Sequence, residues 1–151
     1  MAKLSDPVGY LKEHYNYELW MLRELHNKMV EPRIFHELDI VTRNACIEAL
    51  CIHARALIAF YATKHRATDV TADLFCPGFS MAIDGEALAF MVSVNKQIAH
   101  LTQEREAAIK VNGIDFAKIR TTIEIQHRGF HESLPKALSD LIYPPDDRFP
   151  S

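Results

Sequence analysis

Three polar side chains stand inside a segment that is otherwise apolar on every side. Residues 48–61 read Glu48-Ala-Leu-Cys-Ile-His-Ala-Arg-Ala-Leu-Ile-Ala-Phe-Tyr61, and they include His53 and Arg55. A polar group removed from water costs on the order of 1–3 kcal/mol unless it finds a partner. We therefore expect Glu48, His53 and Arg55 to meet partners or to face a cleft where chemistry can occur. The simpler interpretation is structural: Glu48 and Arg55 pair with other helices, and His53 makes one hydrogen bond near the core.

A second polar set lies in another apolar segment, Asn95-Lys-Gln-Ile-Ala-His100. Asn95 and His100 lie near one line of a helix, and an amide beside an imidazole in a dry seam can orient water or a phosphate. The alternative is a buried Asn–His pair that fixes helix register. The candidate catalytic residues are His100, Asn95, Arg55, His53 and Glu48. If Glu48, Arg55, Asn95 and His100 form one buried network, loss of the His100 side chain destabilises the fold whatever the function.

His127 and His131 are four residues apart, a spacing that places two imidazoles on one helix face as in a zinc or iron site. A third ligand is missing unless His53 or His100 reaches the same level, and such pairs are commonly solvated, so we predict no metal and no cofactor. The glycine patterns of phosphate-binding loops and the serine of a nucleophile elbow are absent from the sequence. The common α/β hydrolases are therefore excluded.

The composition is that of a globular protein. The 151 residues are 48% hydrophobic and 25% charged, with a formal net charge of -3, which fits one domain with no overall attraction for nucleic acid. No long charge-free apolar run and no signal peptide are recognisable, which predicts no membrane partner. The three cysteines form no Cys-x-x-Cys pair, which predicts reduced thiols and a cytoplasmic location.

The chain has five glycines and no strand-like alternation, so a helical pattern extends throughout. We predict an all-α, up-and-down four-helix bundle with a loop segment between helices 2 and 3, in one domain with a core over about residues 6–142. The second helix is expected to be the most buried, and the tail from Tyr143 is expected to be irregular and frayed. The first helix is predicted from Asp6-Pro7 to Glu31-Pro32, and the second over residues 35–65. The third is predicted over residues 85–110, and Asn112-Gly113 ends it. The fourth begins after Asp115 and restarts at Pro135, with Ser133 as the new cap.

Three segments together resemble a group of small uncharacterised bacterial helical proteins. Residues 48–61 contain a His-Ala-Arg-x-Leu-Ile segment, residues 69–75 an Asp-Val-x-Ala-Asp turn, and residues 95–102 an Asn-Lys-x-Ile-Ala-His-Leu helix. The segments follow one another in the order found in that group. The family has no settled activity, so the resemblance implies a helical fold without naming a reaction.

That group is similar, more distantly, to HEPN-type helical bundles, many of which are ribonucleases or their inactive partners. The HEPN signature is an arginine followed by four to six residues and a histidine. His100 matches the histidine, whereas Ser93, Val94 and Asn95 stand where the arginine belongs. The resemblance therefore implies a degenerate site unless Arg55 supplies the guanidinium from a neighbouring helix.

Two functions follow from these patterns. The first is a non-catalytic helical interaction or regulatory module, favoured by the missing arginine, the missing phosphate loop and the incomplete metal set. The alternative is a HEPN-like RNA-binding or ribonuclease-related protein that uses the candidate residues above. Trp20, Tyr10 and Tyr17 on the first helix predict a homodimer, which the HEPN resemblance also implies. A further protein partner is compatible with the first function.

Overall fold

The computed structural model describes residues 4–62, 69–81, 85–95 and 115–149, and every regular element in these ranges is helical. The predicted all-α class is thus confirmed for this part of the chain. The α-helices are α1 Pro7–Gly9, α2 Asn16–Val30, α3 Pro32–Glu37, α4 Ile40–Tyr61, α5 Gly85–Val94, α6 Phe116–Ser133 and α7 Lys136–Ser139, with a π-helical stretch Tyr10–Tyr15 between α1 and α2 and a 3-10 turn Ala72–Leu74 before α5.

The first helical stretch begins and ends where the sequence predicts. The Asp6 carboxylate accepts a hydrogen bond from the Gly9 amide at 2.8 Å, and Pro7 occupies the first helical turn. Both features favour helix initiation, because the first amides of a helix lack partners and proline needs none. The stretch ends at Val30, just before Pro32. Within it the π-helical residues carry Tyr15, which points into the core.

The predicted second helix over residues 35–65 is wrong in its first part, because the chain is divided there. Helix α3 ends at Glu37 and α4 starts at Ile40, with Asp39 between them in an extended conformation. One Asp39 carboxylate oxygen accepts hydrogen bonds from the Val41 and Thr42 amides, at 2.9 and 3.0 Å. This cap satisfies two amides that a continuous helix would bond differently, so a new helix starts at Ile40.

Helix α4 is buried along one side rather than all round, which corrects the expectation from its composition. Leu50, Leu57 and Ile58 are buried, whereas Val41 and Ile52 are exposed. In the described part of the chain, α4 is also the helix that is long and apolar enough, by length and composition, to cross a membrane. The core helix of a soluble protein meets the same two criteria, so length and composition do not distinguish a core helix from a membrane-spanning one.

The later helices follow the predicted signals at most positions. Asp115 caps α6 by accepting from the Lys118 amide at 3.0 Å, and the chain restarts as α7 after Pro135. Ser133 is not the cap of α7, because it is still helical and its hydroxyl donates to the Gly129 carbonyl. Helix α5 begins at Gly85 as predicted. Residues 96–114, which contain the predicted end of that helix and Asn112-Gly113, lie outside the described residues.

A tight turn at residues 76–79 sets one wall of the core. The Phe79 amide donates to the Cys76 carbonyl at 2.9 Å, and Gly78 between them has φ +88°. That backbone conformation is readily available only to glycine, as in a type II turn with proline before it. The turn delivers the Phe79 ring to Phe130 of α6, with ring centroids 5.5 Å apart.

Aromatic rings fill the centre of the apolar core. Phe130 is fully buried and contacts rings from α4, from the π-helical stretch and from the segment 75–79. Its neighbours are Tyr15, Phe60, Tyr61, Phe75 and Phe79, at centroid distances of 5.6, 5.3, 6.2, 6.4 and 5.5 Å. Edge-on and tilted pairs of this kind add roughly 0.5–1.5 kcal/mol each beyond the area they bury.

Truncation of this central ring should be severe. We expect Phe130→Ala to lower the free energy of unfolding by about 3–5 kcal/mol, because a large cavity replaces the ring. Urea titration followed by circular dichroism measures the loss. Leu88→Ala, at a position of α5 that is 55% exposed, is the matched control and should change stability by less than about 0.5 kcal/mol. Equal losses in the two variants would contradict the described core.

Candidate functional site

A buried carboxylate lies between two arginines where α2 meets α6. Glu124 is 1% exposed, and its Oε1 accepts hydrogen bonds from Arg23 Nε at 2.9 Å and from Arg120 Nε at 2.7 Å. Its Oε2 accepts from Arg23 Nη2 at 2.7 Å. Arg23 thus holds Glu124 with two parallel bonds, the strongest geometry for such a pair. We call Arg23, Arg120 and Glu124 the arginine–glutamate cluster.

Electrostatics keep this carboxylate charged. Burial by itself would raise the pKa of Glu124, but hydrogen bonds and charge from Arg23, with the charge of Arg120, outweigh it and lower the pKa. Burial lowers the pKa of Arg120, while the pKa of Arg23 is raised because Glu124 outweighs its burial. Guanidinium groups stay protonated in proteins at either value. The cluster therefore carries two positive charges and one negative charge, with Glu124 and Arg120 buried and the Arg23 side chain 16% exposed.

A directed chain of hydrogen bonds runs beside the cluster. His127 Nε2 lies 2.9 Å from the Tyr143 carbonyl, which can only accept, so Nε2 carries the proton. His127 Nδ1 then accepts from the Tyr15 hydroxyl at 2.6 Å, and Tyr15 in turn accepts from Tyr61 at 2.7 Å. The order of donation is Tyr61 to Tyr15 to His127 to the Tyr143 carbonyl. This chain joins α4, the π-helical stretch, α6 and the C-terminal residues.

Burial favours the neutral forms of His127 and Tyr15 in this hydrogen-bond chain, and of the Cys51 thiol. Burial, and then the charge of Arg23, lower the pKa of His127 to about 4, so the imidazole is neutral at physiological pH. Burial also raises the pKa of Tyr15 far above its ordinary value. The Cys51 thiol of α4 has its pKa raised to about 12, by burial and by the charge of Glu48. None of these three groups is therefore poised for acid–base or nucleophilic work at neutral pH.

The residues after α7 are irregular but not frayed, which corrects the predicted tail. We call residues 141–149 the C-terminal segment. Asn16 holds it by donating to the Leu141 carbonyl at 2.8 Å and by accepting from the Tyr143 amide at 3.0 Å. Arg23 Nη2 donates to the Pro144 carbonyl at 3.1 Å. The tail is therefore fixed over the arginine–glutamate cluster because it supplies acceptors that buried donors need.

Among the described residues, His53 makes a hydrogen bond to Glu18. Its Nδ1 donates to Glu18 Oε2 of α2 at 2.7 Å, and the Tyr17 ring meets the imidazole edge-on at 5.6 Å. Glu18 also lines a groove of about 460 Å³ together with Tyr10 and Asp69. The groove is open, and the carboxylates of Glu18 and Asp69 in its lining would repel an anionic ligand.

The other predicted candidates differ in burial, where the structure describes them. Glu48 and Arg55 are exposed on α4, so the expectation that they are buried in one network is wrong. Asn95 is half-buried directly after α5. His100 lies outside the described residues, so its proposed pairing with Asn95 stays a prediction. Whether any of these residues is catalytic likewise stays a prediction.

The histidine pair on α6 differs from the predicted solvated face. His127 is fully buried in the hydrogen-bond chain, and His131 is half-buried with its ring 6.0 Å from that of His127. The ring nitrogens of His127 are both used by Tyr15 and Tyr143, which leaves no lone pair for a metal. Among the described residues no group of three or more His, Cys, Asp or Glu side chains has the arrangement of a metal site. Cys46, Cys51 and Cys76 are free thiols.

Comparison of the chain with family models, with curated proteins and with solved structures gives no match. The geometry of the described residues therefore carries the functional argument.

The sequence singled out His127 as a possible metal ligand, but it did not single out Arg120 and Glu124 of the same helix. These three residues follow one another at helical spacing, on the same side as the buried Ile123. A polar row adjacent to an apolar row was therefore visible in the sequence. What hid it is that charged rows usually face water, and only the arginine of α2 and the C-terminal segment make this row a buried one.

The buried imidazole predicts acid sensitivity that begins above the carboxylate range. Between pH 6.5 and about 4 the unfolded chain binds a proton at this position and the folded chain does not, so stability must fall as pH falls. We expect a loss of about 3 kcal/mol across that window. His26, whose pKa burial also lowers, adds to the loss in the same direction. Urea unfolding at several pH values measures it.

The variant His127→Gln should flatten most of that slope, because glutamine does not titrate. His131→Gln, one helical turn further along α6, should leave the slope as in the wild type. If both variants retain the full slope, another group is responsible.

Neutralising the buried carboxylate should cost more than neutralising an exposed one. We expect Glu124→Gln to destabilise the protein by about 3–5 kcal/mol at pH 7, because Arg23 and Arg120 are left as buried cations. Glu86→Gln removes an exposed partner of Lys118 and should cost at most about 1 kcal/mol. Thermal unfolding of the two variants side by side makes the comparison, and similar melting temperatures would refute it.

Proposed function

We propose that this protein is a non-catalytic helical interaction module that acts as a homodimer. The observation that supports the proposal is how the buried polar groups are used. Glu124 and Arg120 are each 1% exposed and His127 is 0% exposed, so a substrate has no access to them. Their hydrogen bonds join helices to one another and to the C-terminal segment, which is a structural use. A catalytic acid, base or nucleophile must instead reach a reacting atom.

The first helix offers the surface for self-association. Tyr17 and Trp20 of α2 are 49% and 45% exposed, and their rings lie 6.2 Å apart on one face. Exposed tyrosine and tryptophan are enriched at protein interfaces, where they bury much area at low entropic cost. A two-fold axis beside α2 would bring two copies of this aromatic pair together and cover both. Tyr10, the third predicted residue, is half-buried and stacks on Phe75.

The proposal includes the finer architecture and the location. Helix α4 contacts α2, α5 and α6, and α2 also contacts α6, which supports an up-and-down four-helix bundle in a single domain. Three free thiols, with Cys51 buried, support a reducing compartment and thus the cytoplasm. A bacterial, distantly HEPN-like origin remains part of the proposal on the resemblance of its three segments.

The competing function is HEPN-like RNA binding or cleavage. Arg55 supports it to the extent that an exposed guanidinium on α4 is available to a phosphate. The exposed Glu48 stands on the same helix two turns away and weakens that attraction. We therefore rank this function second, and it becomes an outcome of the test below.

Oligomeric state and RNA cleavage separate the two functions. Sedimentation equilibrium at micromolar concentration should give a dimer for the wild type and a shift of at least tenfold toward monomer for Tyr17→Ser/Trp20→Ser, because the buried aromatic area is lost. Leu88→Ser on α5 is the matched control and should remain dimeric. A wild type that is strictly monomeric contradicts the proposal.

The same preparations are incubated with single-stranded RNA. No cleavage and no saturable binding are expected from the wild type. Cleavage that Arg55→Ala or His100→Ala abolishes, while circular dichroism shows a folded variant, would replace the proposed function with the HEPN-like one.

A further inference from the structure

The C-terminal segment covers a cluster of arginines with an excess of hydrogen-bond donors. Arg120 Nη2 donates to Asp146 Oδ2 at 3.2 Å, and Arg128 Nη2 donates to the Asp146 carbonyl at 3.2 Å. Arg120 also stacks on the Phe149 ring, with its guanidinium carbon 5.0 Å from the centroid. The same segment therefore offers a carboxylate, a carbonyl and an aromatic face to the guanidinium groups of α6.

The donors outnumber the acceptors that the segment supplies. Arg120 is 1% exposed, and its Nη1 is buried without a hydrogen-bond partner among the described residues. Arg128 Nε, on the same helix, is also buried without a partner among those residues. Buried guanidinium N–H groups without acceptors are costly, and they mark places where an oxyanion would be stabilised.

Asp146 is bound in the way that proteins bind an oxyanion. Besides Arg120, its carboxylate accepts from Arg148 Nη2 at 2.7 Å, from Arg148 Nε at 3.0 Å and from the Arg148 backbone amide at 3.1 Å. Fork-shaped guanidinium contacts and a backbone amide are the groups that recognise free carboxylate and phosphate. Its side chain is only 14% exposed, although it stands in a segment without regular secondary structure.

The balance of charge favours an added anion over an added cation. Arg23, Arg120 and Arg128 converge beneath the segment, and Glu124 is already saturated by the first two. Asp147, the remaining carboxylate, contacts Arg128 at 3.4 Å and is almost fully exposed, so it neutralises little. Removal of Asp146 would leave the buried Arg120 with one carboxylate that it shares with Arg23.

We propose that Arg120 and Arg128 form an oxyanion site that Asp146 occupies from within the chain, and that a free small oxyanion can replace it. Phosphate and formate belong to the class that the site accepts, because each offers at least two oxygens to converging N–H donors. Chloride should bind more weakly, because a monatomic ion does not offer two separate oxygens to the parallel N–H groups of a guanidinium. Exchange of Asp146 for a free oxyanion releases residues 146–149 from Arg120 and Arg128, while Asn16, Arg23 and His127 still hold residues 141–144. This inference goes beyond the proposed function and does not depend on it.

Chemical rescue tests whether the site exists. In the full chain, Asp146→Ala should lower Tm in sodium chloride, and sodium phosphate or sodium formate at equal ionic strength should restore roughly 5 °C or more in a saturable manner. Asp140→Ala removes an exposed carboxylate that pairs with Lys136 and should show no anion-specific gain. The proposal is overturned if Asp146→Ala responds to phosphate and formate no more than to chloride, or if Asp140→Ala gains as much.

Two further measurements cover the remaining outcomes. If Asp146→Ala does not fold in chloride, Asp146→Asn keeps the shape and removes the charge, and it must show the same anion-specific gain. In the wild type, saturating phosphate should speed amide hydrogen exchange in residues 146–149 at least threefold relative to chloride, while exchange in α4 stays unchanged. Unchanged exchange in residues 146–149 would overturn the replacement of Asp146 by a free anion.

Discussion

The pairing of Glu124 with two arginines is the constraint on which the rest of the described structure depends. A carboxylate with 1% exposure pays several kcal/mol for lost hydration, and Arg23 and Arg120 offset that cost only when all three side chains are in register. This fixes α2 against α6. Two guanidinium groups then share one carboxylate, so Arg120 needs a second acceptor. Asp146 supplies that acceptor, and an irregular segment far along the sequence therefore packs against the core.

The hydrogen-bond chain beside this cluster further restricts how the helices can pack, because each of its groups must donate in one direction. The Tyr143 carbonyl can only accept, so His127 must be the Nε2–H tautomer, and the hydroxyls of Tyr15 and Tyr61 must point toward it. One backbone carbonyl thus sets the orientation of three side chains on separate elements. Apolar packing tolerates small shifts of one helix along another, whereas all hydrogen bonds of this chain of donors form in one helix register only. We infer that the aromatic core supplies most of the stability and the polar groups select the arrangement.

Local signals made much of the fold predictable, and tertiary contacts account for what was missed. Asp6-Pro7, Asp115 and Pro135 mark helix boundaries because capping and proline sterics act within a few residues of the chain. Asp39 was overlooked because its neighbours on both sides are compatible with a helix, so an aspartate cap there looks like an interior position of one continuous helix. Of the candidate site, His53 bonds to Glu18 among the described residues. The sequence placed Glu48 and Arg55 inside because α4 is apolar on average, although its outer side, which includes Ile52, faces water.

The helices mostly donate hydrogen bonds and the C-terminal segment mostly accepts them, which explains why no local sequence pattern predicts the conformation of the segment. The helices contribute donors, namely guanidinium and imidazole N–H groups, and the segment contributes acceptors: the carbonyls of Tyr143, Pro144 and Asp146 and the Asp146 carboxylate. The exceptions among the described residues are the Tyr143 amide, which donates to Asn16, and the Leu141 and Ile142 amides, which donate to carbonyls of α7. A stretch that supplies acceptors through its backbone needs no particular residue types at most positions, so its sequence resembles that of a loose tail. Its conformation is determined by the donors that it covers, in the same way that a bound ligand is held by its site.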